Sequence, residues 1–173
     1  IKYGSPEALG IPEGAIDRAL AFGVSQSGRF LRTFLYYGFN KDEAERRVFD
    51  GGIADVAGGG RGSFNHRFAQ ASRDAHPYLN MFYPTDIFPF TGLEQRDPET
   101  GLSDGLLAHQ GEAFLPKVFY TNSSYEYWGR AASLIHTSID GTEDASLMDN
   151  VRIYMFAGTQ HGPAQFPPGR TRG

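Results

Sequence analysis

Ser25 has the sequence surroundings of a nucleophile at a tight turn between a strand and a helix. It lies in Gly23-Val24-Ser25-Gln26-Ser27-Gly28, after a short apolar run and before a helical period. Strand and helix backbones approach closely at such a turn, so small residues are needed around the nucleophile. Gly23 meets this need two residues before Ser25, and the small Ser27 stands two residues after it, where glycine is usual. The alternative is that Ser25 is only the N-cap of the helix.

His161 lies just beyond the last predicted strand, in the sequence Ala157-Gly158-Thr159-Gln160-His161. An imidazole in a glycine-containing loop past a strand can lie over the strand ends and accept a proton from a serine hydroxyl. We interpret the other histidines as polar surface groups or satisfied hydrogen-bonding groups; they are His66, His76, His109 and His136. The sequence therefore predicts Ser25 as a nucleophile and His161 as its base.

Glu126 is the first candidate for the acid that would orient the imidazole. It follows the strand predicted at residues 117–121, and the chain order Ser25, Glu126, His161 is the serine, acid, histidine order of one class of hydrolase. A carboxylate there would fix the imidazole tautomer and stabilise the imidazolium ion.

Other interpretations of the acid remain open. Glu126 could simply be a first-turn helix acid that the helix dipole favours. Asp140 and Asp144 in the next loop are rival acids, and Asp55, just after an earlier strand, is a weaker third.

The start of the helix after Ser25 offers a donor for developing negative charge. Backbone N–H groups at a helix N-terminus lack partners within the helix. The N–H of Gln26 is therefore expected to donate to an oxyanion that forms during attack. The second donor in this arrangement comes from a loop after an early strand, and we expect that loop to lie outside this chain.

Strands and helices alternate along the chain in a way that could position these residues. The predicted strands are 18–24, 48–53, 117–121 and 151–157, and the predicted helices are 26–39, 42–47 and 126–136. The run 18–24 is typical of a fully buried parallel strand, and the first of these helices should bury one apolar face made of Phe30, Leu31, Phe34 and Leu35. The pattern predicts an α/β fold with a mostly parallel sheet and flanking helices.

Two segments lie outside this alternation. Residues 1–17 read as a connector rich in glycine and proline. Residues 54–116 form a long irregular excursion between the second and third strands, which we interpret as a cap over a pocket. The glycine run at 58–62 lacks the lysine of a phosphate-binding loop, and we interpret it as a flexible loop near the site.

Composition indicates one globular domain and excludes several functional classes. The chain has 173 residues, of which 40% are hydrophobic, and a net charge of −4. No basic stripe with interleaved aromatic residues appears, so no nucleic-acid interface is predicted. The absence of cysteine excludes thiolate metal sites and cysteine nucleophiles. No ligand spacing indicates a metal or other cofactor, and no apolar run approaches the roughly 18 residues of a membrane span.

Several sequence strings resemble the bacterial "alpha/beta hydrolase domain-containing" proteins. They include residues 21–32, 48–51 and 64–70, Glu126-Tyr127-Trp128 and the segment ending at His161, and the resemblance runs from about Arg18 to His161. It implies a serine-hydrolase fold and carboxylic-ester cleavage, with the nucleophile and base on Ser25 and His161 and the acid on Glu126. Members of this family are longer. We therefore expect residues 1–173 to be the C-terminal portion of one α/β-hydrolase domain.

The function predicted from the sequence is hydrolysis of a small-molecule carboxylic ester through an acyl-enzyme intermediate, without a cofactor. Two alternatives remain: a serine peptidase of the prolyl-oligopeptidase type, and a non-catalytic binding module on the same fold. Both a cytoplasmic and a secreted or periplasmic location fit the sequence, because any targeting segment would precede Ile1.

Overall fold

The computed structural model describes residues 2–64 and 86–162. Its elements in chain order are α1 (Pro6–Leu9), β1 (Leu20–Val24), α2 (Gln26–Tyr36), β2 (Gly51–Asp55), β3 (Gln95–Arg96), β4 (Ser103–Asp104), a 3₁₀ helix (Glu112–Phe114), β5 (Lys117–Ser123), α3 (Ser124–Gly129), a second 3₁₀ helix (Ala132–Ile135) and β6 (Val151–Phe156). Strands β1, β2, β5 and β6 form one parallel sheet in that order. The predicted α/β fold is confirmed.

One face of the sheet carries the hydrophobic core. Helix α2 buries Leu31 and Leu35 against Ala54 of β2 and Val118 of β5, and Leu106 completes the cluster. Phe30, which we predicted to join this buried face, is instead 57% exposed. Its ring makes an edge contact with the Phe64 ring, at a centroid distance of 5.8 Å.

The opposite face of the sheet exposes apolar side chains. Leu20 and Phe22 of β1 are 76% and 67% exposed, and Ile53 and Phe119 continue the same row across β2 and β5. The prediction that 18–24 is a fully buried strand is therefore wrong for this face. Successive side chains of a strand point to opposite faces, and within the described residues the core cluster lies on one face only.

The helix predicted at 42–47 is a turn. The Asp42 carboxylate accepts hydrogen bonds from the backbone N–H groups of Ala44 and Arg46, at 3.0 and 2.8 Å, and Lys41 and Arg47 form an isolated bridge. An aspartate that binds nearby backbone groups in this way offers the chain an alternative to helix.

The helix predicted at 126–136 ends early, at a bend that packs against the glycine run. Helix α3 stops at Gly129, and Ala131 has a φ of 54° before the 3₁₀ helix begins. Gly58 and Gly59 are buried against this bend, where a Cβ on Gly58 would lie 2.6 Å from the Arg130 carbonyl oxygen and a Cβ on Gly59 would lie 2.0 Å from the Ala131 carbonyl oxygen. This run was predicted as a flexible loop, but it is a close-packed segment behind α3.

The connector, residues 1–17, is joined to the amino edge of the sheet, which is the edge where the parallel strands begin. Within residues 1–17, which we predicted as irregular, the structure has the short helix α1. Asp50, just before β2, accepts hydrogen bonds from the Lys2 ammonium at 2.6 Å and from the Ala19 backbone N–H at 2.9 Å. Connector and strand are thus joined at one carboxylate.

Part of the long excursion lies outside the described residues. The described residues after 85 include the two-stranded sheet β3–β4 and the first 3₁₀ helix. Because residues 65–85 are not described, the interpretation of the excursion as a cap stays a prediction. The assignment of 1–173 to the C-terminal portion of one domain also stays a prediction. None of the helices in the described ranges is long and apolar enough to cross a bilayer.

Candidate active site

Ser25 occupies a constrained turn between β1 and α2. Its φ of 54° and ψ of −115° lie outside the usual regions for a residue with a side chain. Such backbone costs about 1–3 kcal/mol and persists only where neighbouring structure fixes it. Here the Ser25 N–H donates to the Asp55 carbonyl at 2.8 Å, and the Ser25 carbonyl accepts from the Arg29 N–H at 3.0 Å. The turn is therefore fixed to the carboxyl end of β2 on one side and to α2 on the other.

Two glycines allow this turn to pack. A Cβ on Gly23 would lie 2.4 Å from the Ser27 carbonyl oxygen, and a Cβ on Gly28 would lie 2.8 Å from the Ala57 Cβ. From the sequence we predicted Gly23 and Ser27 as the small residues that this turn requires. The Ser27 residue is exposed, so the contact after the nucleophile that demands glycine is at Gly28.

The structure brings Ser25, His161 and Glu126 together. The Ser25 Oγ lies 3.0 Å from the His161 Nε2. The other ring nitrogen, Nδ1, is hydrogen-bonded to the Glu126 Oε1. An ionised carboxylate only accepts hydrogen bonds, so Nδ1 donates to it, and Nε2 is left to accept from the serine hydroxyl. The imidazole thus bridges a hydroxyl and a carboxylate.

Glu126 is fully buried, at 0% exposure. Its Oε2 accepts from the backbone N–H of Ser123 at 3.0 Å and from the Ser123 hydroxyl. These bonds form a capping box at the start of α3, in which Ser123 is the N-cap. A buried carboxylate requires hydrogen-bond partners for its charge, and Ser123 and His161 supply them.

The loop that carries His161 is held in place by its neighbours. Strand β6 ends at Phe156, and the Gly158 N–H donates to the Ser124 hydroxyl at 2.7 Å. The imidazole side chain is 45% exposed, and the Tyr125 ring lies beside it at a centroid distance of 5.4 Å. The imidazole is therefore accessible from solvent, whereas the Glu126 carboxylate behind it is not.

The carboxylates of the rival acids do not contact His161 in the described hydrogen bonds. The Asp55 carboxylate accepts from the Thr121 hydroxyl at 2.5 Å. Asp140 is an exposed turn residue, and hydrogen bonds from the Ser138 and Thr142 hydroxyls hold its pKa below the usual value. Asp144 is exposed. Of the four carboxylates that the sequence offered, Glu126 is the one hydrogen-bonded to His161.

His109 and His136, the other histidines among the described residues, have partners away from Ser25. His109 is hydrogen-bonded to Asp104 at 2.8 Å, and His136 stacks on Tyr127. His66 and His76 lie outside the described residues. Within the described ranges no group of three or more histidine and carboxylate side chains could hold a metal ion.

Helix α2 begins directly after Ser25. Its hydrogen bond of helical spacing at this end runs from the Arg29 N–H to the Ser25 carbonyl. The N–H of Gln26, like the other N–H groups of a first helical turn, has no partner within the helix. Its role as a donor to an oxyanion stays a prediction.

Sequence reasoning missed the two serines that hold the site. Ser123 binds Glu126, and Ser124 binds the loop before His161. The signal for Ser123 was present, because Ser123-Ser124-Tyr125-Glu126 has the S-x-x-E spacing of a capping box. No sequence signal relates Ser124 to Gly158, since that contact depends on how β5 and β6 pair.

Comparison with known proteins identifies the family of the chain. A family model described as an alpha/beta hydrolase domain matches residues 3–172. No curated protein and no solved structure gives a significant match. The parallel sheet, with Ser25 between a strand and a helix, agrees with the matched fold. The family match covers nearly the whole chain, so the chain belongs to the alpha/beta hydrolase domain family, a family of the hydrolase superfamily.

Proposed function

We propose that this chain is a serine hydrolase that cleaves a carboxylic ester through an acyl-enzyme intermediate. The observation that carries the proposal is the bridging imidazole: His161 Nε2 lies 3.0 Å from the Ser25 Oγ, and Nδ1 is bonded to the buried Glu126. A weak hydroxyl nucleophile needs an adjacent base, and the base needs an orienting group. The contacts among Ser25, His161 and Glu126 support these three roles.

In the first step the Ser25 Oγ attacks the ester carbonyl carbon while its proton passes to His161 Nε2. The Glu126 carboxylate stabilises the imidazolium ion that forms. The carbonyl oxygen becomes an oxyanion, which the Gln26 N–H would bind. The carbon–oxygen bond to the alcohol then breaks, and the alcohol leaves with the proton from His161.

In the second step water attacks the acyl-enzyme. His161 accepts a proton from the water, and the bond between the acyl carbon and the Ser25 Oγ breaks. The acid is released and Ser25 recovers its proton. The exposed imidazole supports this role because both the alcohol and the water must reach Nε2.

The proposal is tested by labelling the purified protein with a fluorophosphonate. We expect labelling of the wild type, loss of labelling in Ser25→Ala, and unchanged labelling in Ser27→Ala. Ser27 is the matched control because it is an exposed serine two residues away. Wild-type protein that stays unlabelled would overturn the proposal and favour a binding module.

The substrate class is tested with p-nitrophenyl esters beside peptide anilides. An alcohol leaves from the tetrahedral intermediate with less help from a proton donor than an amine does, so ester cleavage makes the smaller demand on His161. We expect ester cleavage that depends on Ser25. Cleavage of anilides alone would instead identify a peptidase.

A further inference from the structure

We propose that Ser123 is a positioning residue for the reaction, which acts by fixing the carboxylate of Glu126 toward His161. This inference rests on the proposed function and adds a fourth side chain to it. The capping box at the start of α3 would then serve the site as well as the helix. Ser123 does not touch Ser25 or His161, and its effect would pass through Glu126.

The contacts of Ser123 converge on one carboxylate oxygen. Its backbone N–H and its hydroxyl both donate to the Glu126 Oε2, while the Glu126 Oε1 faces His161 Nδ1. The Ser123 hydroxyl oxygen also accepts from the Tyr125 N–H at 3.2 Å. The hydroxyl is therefore fixed as a donor to the carboxylate, and the carboxylate is fixed by two donors from one residue.

Ser123 and Glu126 are both buried, so the loss of a hydrogen-bond donor between them should have a large effect. Ser123 is 1% exposed and Glu126 is 0% exposed, so water cannot replace a lost donor without rearrangement. A carboxylate short of donors binds a proton more strongly. It would also be free to rotate away from the imidazole. Loss of the Ser123 hydroxyl should therefore alter both the geometry and the proton affinity of the Glu126–His161 pair.

A second N-cap in the chain shows what an ordinary cap does. Ser5 caps α1, and its hydroxyl oxygen accepts from the Ala8 N–H at 3.3 Å. Ser5 is exposed and its hydroxyl binds no carboxylate. The two serines share the capping role, and Ser123 alone is joined to the site. Ser5 is thus a matched control for the loss of a cap.

The test compares the fluorophosphonate labelling rate of Ser123→Ala, Ser123→Gly, Ser123→Thr and Ser5→Ala with that of the wild type across pH. We expect the Ala and Gly variants to label about 10- to 100-fold more slowly, the range for a lost hydrogen bond to a charged group. The acid limb of their rate profile should move to higher pH, because the pair holds its proton longer. Thr keeps the hydroxyl and should recover most of the rate.

The variants also separate positioning from folding. Glycine is nearly as good an N-cap as serine, within a few tenths of a kcal/mol, so Ser123→Gly carries the test if Ser123→Ala unfolds. Folding is checked by circular dichroism and urea denaturation. Wild-type rate and pH profile in the folded Ala or Gly variant would overturn the inference while leaving the proposed function intact. An unlabelled wild type would overturn the proposed function, and this inference with it.

Discussion

The two edges of the parallel sheet each hold a carboxylate, and the two have different partners. At the carboxyl edge, Glu126 is fully buried and bound by the uncharged donors of Ser123 and by an imidazole. At the amino edge, Asp50 is partly exposed and bound by the Lys2 ammonium and a backbone N–H. Both carboxylates have their hydrogen bonds, and the described ion pairs place a permanent positive charge beside Asp50.

This difference indicates what each edge can do. A carboxylate paired with an ammonium has its charge already compensated, and its contribution is to hold two segments together. Glu126 has no such partner among the described contacts, so its charge is available to an imidazolium that forms during a reaction. The carboxyl edge is therefore suited to proton transfer, and the amino edge to stability.

The largest effect on the labelling rate is expected for Glu126→Gln. The amide keeps the size of the side chain but cannot hold the imidazole in the same charge state, and the labelling rate should fall about 10³- to 10⁴-fold, as when a triad acid is made an amide. The rate is measured from the single-exponential time course of fluorophosphonate labelling. Asp140→Asn and Asp144→Asn are the controls, and either of them matching the loss would disprove the choice of Glu126.

The packing of the nucleophile turn is tested by Gly28→Ala. The new Cβ would lie 2.8 Å from the Ala57 Cβ and 3.0 Å from the Gly23 carbonyl oxygen. Such overpacking costs about 1–3 kcal/mol of unfolding free energy, which urea denaturation measures. Gly129→Ala in α3 is the control, because its nearest neighbour is 4.0 Å away and helical alanine is favoured. Equal stability of Gly28→Ala and wild type would contradict the packing argument.

A smaller effect is expected from Ser124→Ala. This change removes the acceptor for the Gly158 N–H and loosens the loop that carries His161. One neutral hydrogen bond contributes about 1 kcal/mol, so the labelling rate should fall about threefold to tenfold, and the unfolding free energy should fall by about 1 kcal/mol or less. The exposed Ser146 in the loop before β6 provides the control variant, Ser146→Ala. A rate within error of wild type would show that the loop holds His161 without Ser124.

The sequence predicted the parts of the site that depend on local patterns. The turn at Ser25 follows from an apolar run, small residues and a helical period, all within a dozen residues. His161 follows from its place after the last strand. Glu126 followed from its place after a predicted strand, from chain order and from the family resemblance, and the structure adds the contact with His161 that these cannot supply.

The features that the sequence did not predict depend on tertiary neighbours. Helix α3 ends early at a bend where Ala131 packs closely against Gly59, more than 60 residues away in the chain. An apolar run such as Leu20–Val24 reads as buried whether or not both faces of its sheet are covered. Periodicity reports which side chains share a face, and it contains no information about what lies opposite that face.

The smallest effect is expected at the amino edge. A substitution there should change the unfolding free energy in a pH-dependent way and leave the labelling rate unchanged. The hydrogen bond from Lys2 holds the pKa of Asp50 below its usual value, against the opposing effect of burial. Because the pKa is lower in the folded state, Asp50 stabilises the fold above the unfolded-state pKa, and this contribution is lost as pH falls through the folded-state pKa. We therefore expect Asp50→Asn to lower the unfolding free energy by about 1 kcal/mol or less at pH 7.

The difference in unfolding free energy between wild type and Asp50→Asn, measured by urea denaturation, should become smaller as pH falls from about 5 toward the folded-state pKa of Asp50. Asp149→Asn, at an exposed position before β6, should show no such convergence. The labelling rate of Asp50→Asn should equal that of wild type at every pH where both are folded. A reduced rate would mean that the amino edge takes part in the chemistry, and the functional division between the two edges would then be wrong.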